Sequence, residues 1–127
     1  VKATRRLVLT TEQSAAISAG RFIRVDLGAV VAIGVLRVRS ILVGRTGGGI
    51  GVLAAYLNVC AHQAVPLDVG ADSPMSDDGY HLLCHQHGAI YRPNDGYCVS
   101  GPCKGESLVR VAIESVSPDG RAIDVSL

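Results

Sequence analysis

Apolar and polar positions alternate along much of this chain, and the alternation has the period of a strand. Arg21-Phe22-Ile23-Arg24-Val25-Asp26 interleaves apolar and charged residues, the mark of a half-buried strand. From Gly34 to Val43, Val35, Arg37 and Arg39 fall on one face while Leu36, Val38 and Ser40 fall on the other. Residues 4–9 suit an edge strand, and Val52–Asn58, Tyr80–Leu83 and Ala89–Tyr91 suit shorter ones. Leu108–Ile113 and Ala122–Leu127 form a closing hairpin around Ser117-Pro118-Asp119-Gly120. One short helical segment is expected at Thr11–Ala19, capped by Thr10 or Thr11 and stopped by Gly20. Together these predict an all-β fold.

The connections are as readable as the strands. Gly44–Gly51 contains five glycines and reads as a hairpin turn. Thr46-Gly47-Gly48-Gly49 lacks the Lys-Ser/Thr pair of a phosphate-binding loop. Pro66–Gly79 is polar and reads as a solvated connection; Asp68, Asp72, Asp77 and Asp78 lack the ligand spacing and closing Glu of a calcium loop. Pro93-Asn94-Asp95-Gly96 is a turn.

Composition narrows the picture. At 127 residues the chain is the size of one domain. With 48% apolar residues but one Phe and no Trp, its core must be built from Val, Leu, Ile and Ala, a mix that favours strands. A formal charge of +1 carries no signature of a nucleic-acid or membrane partner. The most apolar stretch, Ala29–Gly44, is interrupted by Arg37 and Arg39, and no signal peptide is visible. A cytoplasmic location is expected. The first residue is Val1, so what preceded it is left open.

The chemistry concentrates in two short segments, Cys60-Ala61-His62 and Cys84-His85-Gln86-His87. Each offers one thiolate and one imidazole, and neither completes a site alone. Such a Cys2His2 set suits a single tetrahedral zinc, as in a structural module for protein contacts, or a two-iron cluster. His85 lies inside the second segment and is read as an exposed loop residue; His81 is read as structural. No Ser lies in a nucleophile elbow, and no catalytic residue is expected.

The flanks decide the comparison. Residues 60–67 read Cys-Ala-His-Gln-Ala-Val-Pro-Leu and residues 84–91 read Cys-His-Gln-His-Gly-Ala-Ile-Tyr, followed by Asp95-Gly96 and Gly101-Pro102. Residues 58–108 thus resemble the Rieske iron–sulfur family, in particular its small soluble ferredoxins; residues 1–57 resemble it only loosely. The resemblance implies antiparallel sheets of the Rieske type in a single domain, 1–127. A base sheet would come from 1–58 and 104–127, and a cluster-binding subdomain, 59–103, would be inserted between them. It implies one [2Fe-2S] cluster per chain, with thiolates Cys60 and Cys84 on one iron and imidazoles His62 and His87 on the other. The histidines would form the electron port, and the potential would lie in the family range of roughly −150 to +300 mV, falling as pH rises.

The resemblance also supplies the surroundings. High-potential relatives carry a hydroxyl two residues after the second ligand His and a Tyr four after it; here those positions are Ala89 and Tyr91. They also strap the two loops with a disulfide, whereas Val65 and Gln86 carry no thiol. A low-to-middle potential is therefore expected, raised if the Tyr91 hydroxyl reaches a cysteine sulfur. Gly101 and Pro102 would lie beside the cluster. The remaining thiols, Cys98 and Cys103, flank that Gly-Pro turn, which can bring them within disulfide range; the plainer reading is two small apolar residues. The implied role is that of a one-electron carrier between a flavin-dependent reductase and an oxygenase or other redox enzyme. No residues remain for the 2-His-1-carboxylate iron that an oxygenase itself would need.

Overall fold

The computed structural model describes residues 4–46, 51–61 and 65–127. The elements follow in the order β1 (Thr4–Val8), α1 (Thr11–Ser18), β2 (Ile23–Ile33), β3 (Leu36–Arg45), β4 (Leu53–Leu57), β5 (Leu82–Leu83), β6 (Ile90–Tyr91), β7 (Cys98–Ser100), β8 (Arg110–Val116) and β9 (Ala122–Ser126). Two antiparallel sheets result, one of six strands in the order β1-β9-β8-β4-β3-β2 and one of three in the order β5-β6-β7.

The alternation in β3 and β4 places these strands between two cores. Leu42, Ala54 and Tyr56 point into a core shared with Leu67, Met75, Leu82, Ala89 and Tyr91. Their neighbours Ile41, Val43, Ala55 and Leu57 point into a second core with Leu7, Leu9, Val111, Ile123 and Val125. A strand covered on both faces reads as an unbroken apolar run, which is why Ile41–Val43 and Ala54–Leu57 lose the polar alternation present nearer the β2–β3 hairpin. In that outer part of β3, Arg37 and Arg39 face solvent while Val38 and Ser40 are buried.

The helix is set by its first residues. Thr10 Oγ1 accepts from Gln13 N at 3.1 Å, and Gln13 Oε1 accepts from Thr10 N at 2.8 Å. This reciprocal cap satisfies two otherwise orphaned amides and starts the helix at Thr11. Strand β2 runs to Ile33, well past the expected Asp26, with a register break between Asp26 and Val31. The glycine-rich turn is bounded by the pairing of Arg45 with Leu53, which confirms the hairpin; residues 47–50 lie outside the described residues. Strand β7 was not anticipated. Its three residues carry no pattern of their own and exist through pairing with β6.

The edge strand β1 is fastened to β9 by Arg6, whose Nε lies 2.8 Å from Asp124 Oδ1 and whose Nη2 lies 3.0 Å from Oδ2. The Arg6 hydrogen bond first, and then the Ser115 hydroxyl, hold the Asp124 carboxyl down at about 2. A depressed folded-state value gives stability that is complete above the unfolded value of about 3.9 and is lost as pH falls through about 2. Asp124→Asn should therefore lower the denaturation midpoint at pH 7 but leave it close to that of the parent below pH 2. Equal offsets at both pH values in chemical denaturation would contradict the assignment.

Candidate metal centre

Strand β4 delivers Cys60 through a buried polar knot. Asn58 donates to Ser40 Oγ at 3.0 Å and to Asp68 Oδ1 at 3.1 Å, and its Oδ1 accepts from Leu67 N at 2.9 Å. Arg24 reaches the same Asp68 oxygen at 3.4 Å. Asp68 is thus 7% exposed, contrary to the solvated role expected of it, because a buried amide needs every one of these partners. Two residues beyond Asn58, Cys60 N donates to Val65 O at 2.8 Å and closes the first loop. His62 belongs to that loop and lies outside the described residues.

The second loop is a tight one. Cys84 N donates to Ala89 O at 2.9 Å and Gly88 N to Cys84 O at 2.8 Å. His85 N donates to Leu67 O at 2.8 Å, lashing this loop to the exit of the first. Cys84 and Ala89 are fully buried, whereas Gln86, His87 and Gly88 are exposed at the tip. His85, expected to be exposed, is half-buried, and its Nε2 is shielded with no hydrogen-bond partner among the described residues.

The third segment closes over the second. Gly101 has φ +98°, and a Cβ there would fall 2.8 Å from Ala89 Cα and 3.1 Å from Gly88 O. Only glycine allows this approach and this backbone angle together. Gly101 therefore abuts the second loop, and Pro102 is exposed.

The two cysteines meet beneath these loops. The Cys84 thiol lies within reach of Cys60 and of the backbone amides of Gln86 and His87. Burial first, and then Cys60, push the Cys84 thiol up, while the two amides favour its thiolate. Tyr91, also fully buried, has its hydroxyl 3.2 Å from Cys60 Sγ, 3.0 Å from Ala61 N and 3.0 Å from Cys103 Sγ. Burial foremost, then Cys103 and Cys60, raise the phenol far above its usual range, so it keeps its proton and can donate it to a thiolate. Among the described residues no group of three or more His, Cys, Asp or Glu is gathered into a metal cage. The structure thus brings together Cys60 and Cys84 and places His87 at the surface of the adjoining loop.

This donor set fits a cluster held by sulfur on its buried side: two adjacent cysteines, two amide donors aimed at one sulfur and a hydroxyl at the other. The Rieske [2Fe-2S] domain model matches residues 12–116. The chain belongs to the Rieske family. No curated protein matches the sequence. Among solved structures, a chain in the complex of reduced oxygenase and oxidised ferredoxin of carbazole 1,9a-dioxygenase is 20% identical, with a TM-score of 0.60, covering 97% of this Rieske chain and 92% of that one. A chain in the reduced complex between oxygenase and ferredoxin of the same system is 18% identical, with a TM-score of 0.62 over 96% of this chain and 27% of that one. The terminal oxygenase from Nocardioides aromaticivorans IC177 is 20% identical, with a TM-score of 0.60 over 96% of this chain and 29% of its own. The Rieske chain thus spans less than a third of the length of these last two, and the likeness to all of them is one of fold.

Of the surroundings, Ala89 is buried with no hydroxyl to offer, Tyr91 sits on Cys60, and Cys98 and Cys103 are both buried. The Asn58–Ser40–Asp68 knot was not foreseen. Its one visible signal was an Asn closing an apolar strand two residues before a ligand candidate. Gly101→Ala should destabilise the protein by ~1–3 kcal/mol, since its methyl meets backbone rather than a movable side chain. A variant as stable as the parent in urea would refute this close packing.

Proposed function

We propose that this chain is a one-electron carrier holding one [2Fe-2S] cluster, with Cys60 and Cys84 on one iron and His62 and His87 on the other. The observation that carries the reading is the adjacency of two buried cysteine sulfurs supplied with hydrogen-bond donors from Gln86, His87 and Tyr91. Bound there, the cluster would supply a single one-electron couple. The chain's own part is to exclude water from the sulfurs, to donate hydrogen bonds to them and to keep His87 at the surface. An exposed ligand edge on a rigid loop suits electron exchange with a partner protein, and no catalytic group is needed beside it.

The acceptor in this reading is an oxygenase or another redox enzyme, the class favoured by the carbazole dioxygenase structures, and the donor is a flavin-dependent reductase. The whole chain acts as one Rieske domain in which 59–103 forms the cluster-binding lobe; all three strands of the smaller sheet fall inside that span. The setting proposed is the cytoplasm. Among the described residues no helix is long and apolar enough to cross a membrane.

Anaerobic purification with metal analysis tests the reading. Iron and acid-labile sulfide should be present at about two each per chain, with a low-temperature spin-resonance signal appearing on reduction. A colourless protein carrying one zinc would sink it. His87→Ala should abolish iron retention while His85→Ala keeps it; the opposite result would move the ligand to His85.

Tyr91→Phe removes the donor to Cys60 and should lower the midpoint potential by on the order of 50 mV, the one-electron equivalent of a hydrogen bond ~1.2 kcal/mol stronger in the reduced state than in the oxidised one. The sign follows from charge. The hydrogen bond stabilises the more negative, reduced state, so losing it makes reduction harder. An unchanged midpoint would show that the phenol only packs.

A further inference from the structure

We propose that Cys98 and Cys103 form a second redox site, a dithiol that low-molecular-weight disulfides oxidise, and that its state is relayed to the cluster ligand Cys60 through Tyr91. The relay rests on the Rieske reading; the thiol chemistry does not.

The two sulfurs lie 2.6 Å apart, inside van der Waals contact and not far above the bonded length of about 2.05 Å. The backbone holds them there. Cys98 N donates to Glu106 O at 2.8 Å, and Glu106 N donates to Cys103 O at 2.9 Å. Both thiols are fully buried, but Gly101, Pro102, Lys104 and Gly105 above them are exposed. The bonds that close this cover are the long ones, Lys104 N to Gly101 O at 3.2 Å and Gly105 N to Cys98 O at 3.3 Å. A short exposed turn held by two weak bonds opens readily, giving a small disulfide access to the pair beneath.

The exchange is balanced. Once the turn opens and burial no longer holds the protons on, one sulfur of the pair attacks a sulfur of the small disulfide as its thiolate, forming a mixed disulfide and releasing one thiolate. The second protein thiolate then attacks the mixed disulfide at the protein sulfur, forming the Cys98–Cys103 bond and releasing the other. Two protein thiols are oxidised, one small disulfide is reduced to two thiols, and the two protons pass to the released thiolates.

The consequence for the cluster follows from the hydrogen bonds of one hydroxyl. With Cys60 bound to iron as a thiolate, the Tyr91 O–H donates to it, and the phenol oxygen accepts from Ala61 N–H and from the Cys103 S–H. Each accepted bond polarises the O–H and strengthens the one it donates. Oxidation removes the Cys103 proton and with it one of the two accepted bonds. The bond to Cys60 weakens, and the cluster becomes harder to reduce.

The test uses the cluster-loaded protein, equilibrated anaerobically with either dithiothreitol or oxidised glutathione. Each sample is acid-quenched, unfolded and alkylated with N-ethylmaleimide. The reduced sample should take four adducts and the oxidised one two, on Cys60 and Cys84, with 98 and 103 linked. Four adducts in both, or a glutathione adduct without ring closure, overturns the site. Iron and sulfide measured on the same samples report separately on the cluster, so loss of the Rieske reading is not confused with loss of the thiol site. The oxidised form should show a reduction constant roughly two- to fourfold lower, on a scale of about 59 mV per decade. That difference should vanish in Tyr91→Phe and in Cys103→Ser. Equal midpoints in the two forms of the parent, or a difference that survives in Tyr91→Phe, overturns the relay.

Discussion

A phenol buried out of water must find partners for its hydroxyl, and in this protein the partners are the site. Tyr91 is fully buried and its oxygen meets Cys60, the Ala61 amide and Cys103. Those three groups come from the first loop and from the segment after β7, while Tyr91 itself belongs to β6. An unsatisfied hydroxyl here would be penalised by about 1–3 kcal/mol, so the bond network that satisfies it also fixes three chain segments against one another. The register of β6 with β5 and β7 carries the second loop into the same arrangement, since Cys84 and Ala89 close the hairpin between β5 and β6.

The larger sheet supplies the rigidity under this network. Strands β3 and β4 divide their side chains between two cores, and Tyr56, on the face toward the loops, packs near Phe22 with ring centroids 6.1 Å apart while its hydroxyl donates to Pro93 O at 2.7 Å. Asn58 then leaves the end of β4 tied to both Ser40 and Asp68. The first loop accordingly starts from a fixed point, which a redox centre needs if its geometry is to change little between oxidation states. At the tip of the second loop Gln86, His87 and Gly88 are exposed.

Burial acts on both sulfurs in the same direction, and their neighbours set them apart. It pushes the Cys84 thiol up, and it pushes Cys103 up to about 12, burial acting first and Cys98 next. For Cys84 the amides of Gln86 and His87 oppose the shift, the arrangement expected of a thiolate that must be stabilised in place. Cys103 instead meets a hydroxyl and another thiol. Two pairs of cysteines in one core therefore meet different surroundings, backbone amides beside Cys84 and a second thiol beside Cys103.

The residues by themselves determined the class of fold and the ligand candidates. Alternation in 21–26 and 34–43 marked strands, Thr10 or Thr11 with Gly20 marked the ends of a helix, and the flanks of Cys60 and Cys84 carried the family, because these signals are local and each depends on residues a few positions apart. The burial of Asp68, the half-buried position of His85, the existence of β7 and the meeting of Tyr91 with both Cys60 and Cys103 were decided only by the tertiary structure. Each depends on partners distant in the chain: Asp68 on Asn58 and Arg24, β7 on β6, and Tyr91 on a cysteine 31 positions before it and another 12 after. A polar residue's composition says that it prefers water; only packing says whether its hydrogen bonds are made elsewhere.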